Sequence, residues 1–463
     1  MSQNLIAAQQ QTNETSVVST IQATDVANIQ TPSQDDLWSE IIDPTNVNLP
    51  RIPKVLWAFL KDIPQDYQWP CFFSLITGIA PYTQMKVRYR KSEKHPIVLH
   101  CYIISESGNG KGAVIRLNKI ASELMMKQDR KRLTDYTTWD KMPAKTKTTI
   151  PEPPHYKQYM GDQITQASAI LEVSLAPDIT RLVAGPEIDT WVNHSNKKYG
   201  LQTDFLRKAF DGDDVSNSAV HPDSPKVYST PAKVCVCFAG TRQKMRRFFC
   251  DVTDGSLNRG LFPVMPFDPY DINGLQLPDY SQQLLDDLDA TCDKLQNMDC
   301  SKVYEFAPIE EAINQWLATK KELCQQYKRS LECHLTHRPA VNGFRIGCLL
   351  AAIRDSQNVE FFSMKDCCKA AVACAEYAWR AILYNWGTDI NKAAKADSTQ
   401  GDSKNVNHAV FNLLPDIFTG DDVVEERKKM GLSTSDNNRK KILQRWVNSN
   451  WIKSLGNRTY QKL

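Results

Sequence analysis

The segment Pro96–Ile104, PIVLHCYII, is apolar at nearly every position, the pattern of a strand buried on both faces. A glycine-bearing turn, SESGNGKG over Ser105–Gly112, follows it, and Ala113–Met126 then has helical periodicity. A strand of this kind needs parallel neighbours in its sheet and helices above and below it. The chain supplies both: a helix over Gln163–Ser174, a short strand ITRLVAG, and a second strong strand AKVCVCFAG that ends at Thr241. The spacing predicts an α/β fold with a parallel sheet covered on both faces.

The flanks divide by composition. Residues 1–36 are rich in Gln, Asn, Thr and Ser, cannot bury enough apolar surface to offset chain entropy, and are expected to be a disordered tail. Over 37–85 the apolar spacing suggests short helices interrupted by Pro44, Pro53, Pro64, Pro70 and Pro81. The α/β core is expected over 86–279, with a polar Lys- and Pro-rich stretch at Gln128–Tyr159. A helical region over 280–390, a polar linker over 391–405 and a small module over 406–463 complete the expected organisation. No apolar run approaches the roughly 18 residues of a membrane helix. The N-terminus has no secretory pattern, so a cytoplasmic location without membrane contact is expected. The 13 cysteines form no CxxC pair and read as reduced, buried thiols.

The turn between strand and helix carries the chemistry. Glycines let backbone N–H groups face phosphate oxygens, and the helix N-terminus adds partial positive charge. Ser107, Gly108, Asn109, Gly110, Lys111, Gly112 and Ala113 are the candidate cradle for the phosphates of ATP, with Lys111 as the counter-charge. The general pattern is GxxxxGK[ST]; here Ser105 replaces its first Gly, and Gly112 replaces the Ser or Thr that would ligand Mg²⁺. The preceding strand and following helix supply the context the motif requires, against the alternative of a Gly-rich surface turn.

Hydrolysis also needs an acid at the end of another strand. Glu187 stands there as the candidate that orients water, and Asp189 as a candidate metal ligand, although Pro186 occupies the place of the usual first acid. The other reading is a helix N-cap cluster. Thr241 could sense the γ-phosphate from the end of AKVCVCFAG. Arg259, in DGSLNRGLFPV, is a candidate finger reaching a neighbouring subunit, or else a surface ion pair.

In this order SESGNGKG, PEID, FAGTRQKMRRFF and DGSLNRGLFPV resemble domain-of-unknown-function family 3987, P-loop proteins similar to primase-associated helicases of phages and mobile elements. The likeness runs from about Leu37 to Trp386. It implies a RecA-like or AAA-type P-loop NTPase core, a homo-oligomer such as a hexamer, and a primase or recombinase as partner. By position it makes Lys111 the phosphate lysine, Glu187 the acid, Thr241 the sensor and Arg259 the finger.

The far end of the chain is basic: Asn437–Leu463 holds seven Lys or Arg and no acid. Thr419 with Asp422 reads as a capped helix start, Gly431 as its stop, and Ser433 or Ser435 as the next cap. Trp451, Ile452 and Tyr460 flank a turn. Two helices and a hairpin predict a winged helix-turn-helix. Its Arg439, Lys440, Lys441 and Arg445, with Lys453 and Arg458, would contact duplex DNA, or the module would serve protein contact instead. Arg246 and Arg247 belong to a second basic run, Arg242–Arg247, interleaved with Met245, Phe248 and Phe249. It reads as the lining of a single-strand channel or as the solvated face of a helix. His334 and His337 lack a second half-site and are assigned no metal.

The sequence thus points first to a DNA-dependent ATPase, a helicase or replication motor of a bacterial mobile element. A nucleotide-regulated DNA-binding initiator with little hydrolysis, and a structural adaptor that binds no nucleotide, are the alternatives.

Overall fold

The computed structural model describes residues 34–463 except 92, 196–202, 218–226, 250–251, 253–254, 269, 271–273, 358–361, 431–433, 450 and 457. The chain divides into two units, Met1–Ile41 and Ile42–Leu463. In the first, the helix Gln34–Ile41 is described; most of the expected tail lies outside the described residues.

Five strands make the central sheet: β1 (His100–Ile104), β2 (Tyr159–Met160), β3 (Arg181–Gly185), β4 (Val234–Gly240) and β5 (Gly260–Leu261). Every pairing is parallel, and the spatial order is β2-β3-β4-β1-β5. β1 and β4 lie in full register, His100 opposite Val236 and Ile104 opposite Gly240. Both are buried at every position, as near-continuous apolar runs require.

Helices cover both faces. Successive strand residues point to opposite sides, and β4 shows where each side leads. Cys237 Sγ lies 3.8 Å from Ser74 Oγ on α1 (Gln65–Ile79), whereas the Phe238 ring lies 4.4 Å from Trp191 on α3 (Ile188–Ser195). On the first face Ser74 Oγ also donates to the Val114 carbonyl at 2.6 Å, tying α1 to α2 (Lys111–Ala121). On the second, α4 (Arg242–Phe248) brings Phe248 against Trp191 and Tyr102. A smaller sheet joins Lys86–Tyr89, antiparallel to Glu93–Pro96 and parallel to Val303–Glu305.

Several local expectations need correction. The run Pro96–Ile104 is not one strand: Pro96 ends the antiparallel neighbour of Lys86–Tyr89 and β1 begins at His100, because proline has no N–H to continue a ladder. Pro70 lies inside α1, whose burial from Trp69 onward outweighs the lost hydrogen bond, while Pro53 and Pro64 do stand at helix starts. The polar stretch Gln128–Tyr159, for which no element is expected from its sequence, begins within a helix, Glu123–Asp140, and from Glu123 onward no Pro or Gly occurs before Pro143. Residues 391–405 are helix rather than linker. They form part of α5 (Met364–Leu413), which no proline interrupts, although eight of the fifteen, Gly401 among them, are weak helix formers.

Beyond α5 come β6 (Ile417–Thr419), α6 (Gly420–Lys429), α7 (Asp436–Asn448), β7 (Ile452–Gly456) and β8 (Thr459–Lys462). The strands form an antiparallel sheet in the order β6-β8-β7. Thr419 and Asp422 make a reciprocal capping box on α6. Leu414, Phe418, Val423, Ile442, Leu443, Trp446 and Ile452 build the module's own core. Gly431 and Ser433 fall outside the described residues; Ser435 precedes α7 without a side-chain cap bond. Among the described residues no helix is long and apolar enough to cross a membrane.

Candidate functional site

Strand order locates the site. The helix that follows β1, α2, packs with α1 on one face of the sheet, whereas the helix that follows the neighbouring β4, α4, packs with α3 on the other, so the chain leaves these two adjacent strands toward opposite faces. Open α/β sheets bind ligands in the crevice beyond the carboxyl ends of strands at such a switch point. The turn Ser105–Gly110 and Thr241 both open from this edge, and Ser105 N–H donates to the Gly240 carbonyl at 3.0 Å.

The turn is anchored at one end and open at the other. Asn109 is buried, and its side-chain amide donates to the Pro266 carbonyl. Gly110 adopts φ 71°, the left-handed region, and a Cβ there would stand 2.5 Å from the Leu275 backbone nitrogen. Gly110 also occupies the N-cap of α2, where it offers no side chain to the first-turn N–H groups. Ser107, Gly108 and Gly112 are exposed, and Ala113 is half-buried.

Lys111, the first residue of α2, crosses to the loop after β3, where its Nζ lies 2.8 Å from Glu187 Oε1. Lys244 Nζ, from the first turn of α4, lies 3.0 Å from Glu187 Oε2 and also pairs with Asp189. Hydrogen bonds from Lys111 and Lys244 hold the Glu187 carboxyl below its usual range. The bonds to Asp189 and then Glu187 raise the Lys244 ammonium above its usual value. Lys111 and Glu187 therefore meet directly, and Asp189 joins them through Lys244. Lys244 was visible only as a member of a basic run, although its place in the first turn after β4 aims it at the end of β3. A cavity of about 660 Å³ adjoins the turn, bordered by Ser105, Glu106, Arg242, Trp69, Tyr384 and Phe267.

The donor set does not fit a protein-held Mg²⁺. Such an ion needs hard oxygen ligands, and Gly112 and Pro186 stand where a hydroxyl and a first acid would supply them. Glu187 and Asp189 are taken by lysines, and among the described residues no group of three His, Cys, Asp or Glu can hold a metal.

Thr241 sits at the edge but is already engaged, since as N-cap of α4 its hydroxyl accepts from Lys244 N–H at 3.4 Å. Arg259 lies at the other end of the sheet. Its neighbour Gly260 pairs with His100, the first residue of β1, four residues before the turn begins after Ile104. At about 3.3 Å per residue this is roughly 13 Å away along the strand. Its guanidinium donates to Asp211 Oδ2 at 3.1 Å and to the Gly255 carbonyl at 2.8 Å, and Arg338 shares Asp211. Arg259 is therefore part of a largely buried ion cluster within its own chain, with Asp211 and the Gly255 carbonyl taking its donors.

The second basic run does not offer a stacking channel. Met245, Phe248 and Phe249 are buried in the aromatic layer on β1 and β4, where apolar side chains in a helix's inner stripe belong. Arg246 donates to the Asn385 carbonyl at 2.9 Å, and Arg242 stacks over Tyr384; Arg247 is exposed. In the C-terminal module, Lys440, Lys441 and Arg445 are exposed on α7, as are Lys453 and Arg458 on the hairpin. Arg439 differs from them, being held by Asp421 at 2.8 Å and Asp436 at 3.1 Å. No family model matches the chain, and no curated protein matches it.

Proposed function

We propose that the chain is a P-loop NTPase that binds ATP at the β1–β4 crevice and acts on DNA, as a helicase-like or replication motor. The observation that carries this reading is the convergence of Lys111 and Glu187, from two different strand ends, at the switch point of an all-parallel sheet. The backbone of Ser107–Ala113 would hold the phosphates, and Lys111 would neutralise them. The adjoining cavity is of the size and mixed polarity that ligand sites have, and suits a nucleoside. ATP would supply a phosphoanhydride, and Glu187, once released from its lysines, an acceptor for the proton of water.

DNA enters through the C-terminal module, read as a winged helix. The sequence of β6, α6, α7 and a β7–β8 hairpin places the exposed Lys440, Lys441 and Arg445 on the second helix of the pair. The resemblance to family 3987, over about Leu37 to Trp386, supports the P-loop core of this reading and does not reach the C-terminal module. Arg259 is not proposed as a trans finger, because Asp211 and the Gly255 carbonyl already take its donors. Turnover of ATP by the purified chain, stimulated by single-stranded DNA and abolished by Lys111→Ala, is the expected result. Turnover that survives this substitution would overturn the reading.

A second reading, a nucleotide-regulated initiator with slow hydrolysis, is favoured by Gly112, Pro186 and the lysine-bound Glu187. Tight ATP binding without measurable turnover would select it.

A further inference from the structure

Two lysines reach one carboxylate from different elements. Lys111 Nζ sits 2.8 Å from one oxygen of Glu187 and Lys244 Nζ 3.0 Å from the other. Both stand at the carboxyl edge of the sheet, on the first turns of α2 and α4. A phosphate oxygen is a competing acceptor for the same ammonium groups. Glu187 and Asp189 are more than a third exposed, so a polyanion can draw the lysines away with little burial to undo.

In a P-loop site the divalent ion bridges phosphate oxygens and offsets their charge, and its protein ligands are missing at Gly112 and Pro186. The chain instead brings a second fixed cation to the place. Resting on the nucleotide reading above, we infer that Lys244, rather than a protein-held Mg²⁺, supplies the second positive charge on the bound triphosphate, so that the site takes ATP without a divalent metal. The same exchange frees Glu187: the triphosphate draws both lysines off its carboxylate, and the acid becomes available only when nucleotide is bound. Lys244 is thus a binding and positioning residue that couples ligand arrival to the state of Glu187.

Isothermal titration of the full chain with ATP tests this in EDTA and in MgCl₂. Wild type is expected to bind in both, with dissociation constants within about threefold. Lys244→Met should lose about tenfold or more in EDTA, the scale of one charge-assisted hydrogen bond, and Lys244→Arg should keep most of the affinity. Lys111→Ala should weaken binding in both buffers. Wild-type binding that needs Mg²⁺ overturns the inference and leaves the nucleotide reading standing. Binding in neither buffer overturns both. Lys244→Met equal to wild type in EDTA, with an unchanged thermal melt, removes the role of Lys244. If that variant melts early, the wild-type comparison and Lys244→Arg still decide.

Discussion

The two glycines that flank Lys111 are opposites. Gly110 combines φ 71° with a would-be Cβ 2.5 Å from the Leu275 nitrogen, whereas nothing lies within 4 Å of a Cβ at Gly112. Gly110→Ala should therefore cost about 1–3 kcal/mol, read as a lower denaturant midpoint, because strain and backbone overlap add. Gly112→Ser should leave stability within about 0.5 kcal/mol. The new hydroxyl also restores the missing metal ligand, so its ATP affinity should become more Mg²⁺-dependent than that of wild type. Equal Mg²⁺ dependence in the two proteins would count against the site geometry. Lys111 and Glu187 are legible from sequence because each follows a strong strand by a few residues, and strand ends meet at a sheet edge. The true position of Arg259 is not legible. It also adjoins a strand, but at the amino end, and its acceptor Asp211 is 48 residues away in sequence.

Helix starts and strand cores follow local chemistry and can be read in advance: Thr419 with Asp422, and the buried runs of β1 and β4. Element lengths depend on more. Residues 391–405 look like a linker by polarity, yet α5 runs through them, with no proline to stop it. The strand order that creates the switch point is a non-local property, invisible to periodicity. At this scale the cations of α7 separate into two kinds. Replacing Lys440, Lys441 and Arg445 together by Ala should weaken duplex binding and make the log–log salt slope shallower by about 2.7, for three lost phosphate contacts. Arg439→Ala breaks pairs with Asp421 and Asp436 and should lower the module's stability with a smaller change in slope. Fluorescence anisotropy over a salt series separates the two. Equal slopes for the triple variant and wild type would remove α7 from the proposed DNA interface.

Across the whole molecule, stability depends on groups buried in one protonation state. His100 is fully buried, and burial lowers its pKa to about 3 and holds the ring neutral, outweighing the bond its Nε2 donates to the Val234 carbonyl at 2.9 Å, which favours the charged form. Burial, then the Arg345 charge, lowers His95 to about 4. In the unfolded chain both titrate near 6.5. As pH falls below that value the unfolded state takes up protons that the folded state refuses, so stability declines by up to about 1.4 kcal/mol per pH unit for each histidine. Two carboxylates extend the decline. Burial pushes Asp211 and Glu376 upward, but Arg259 and Arg338 on the one, and Lys320, Trp316 and Arg380 on the other, outweigh it and leave both below the usual carboxylate range. Their contribution is complete above about pH 4–5 and is lost as pH falls through their folded values. Urea midpoints should therefore be level above pH 7, fall between pH 6 and 4, and fall further below pH 4. Asp211→Asn leaves Arg259 and Arg338 without their shared anion and should cost about 3 kcal/mol at pH 7 while flattening the limb below pH 4. His100→Gln, which keeps a donor for Val234, should flatten the limb between pH 6 and 4. Midpoints that stay level down to pH 4 in wild type would show that neither histidine is held neutral by the fold.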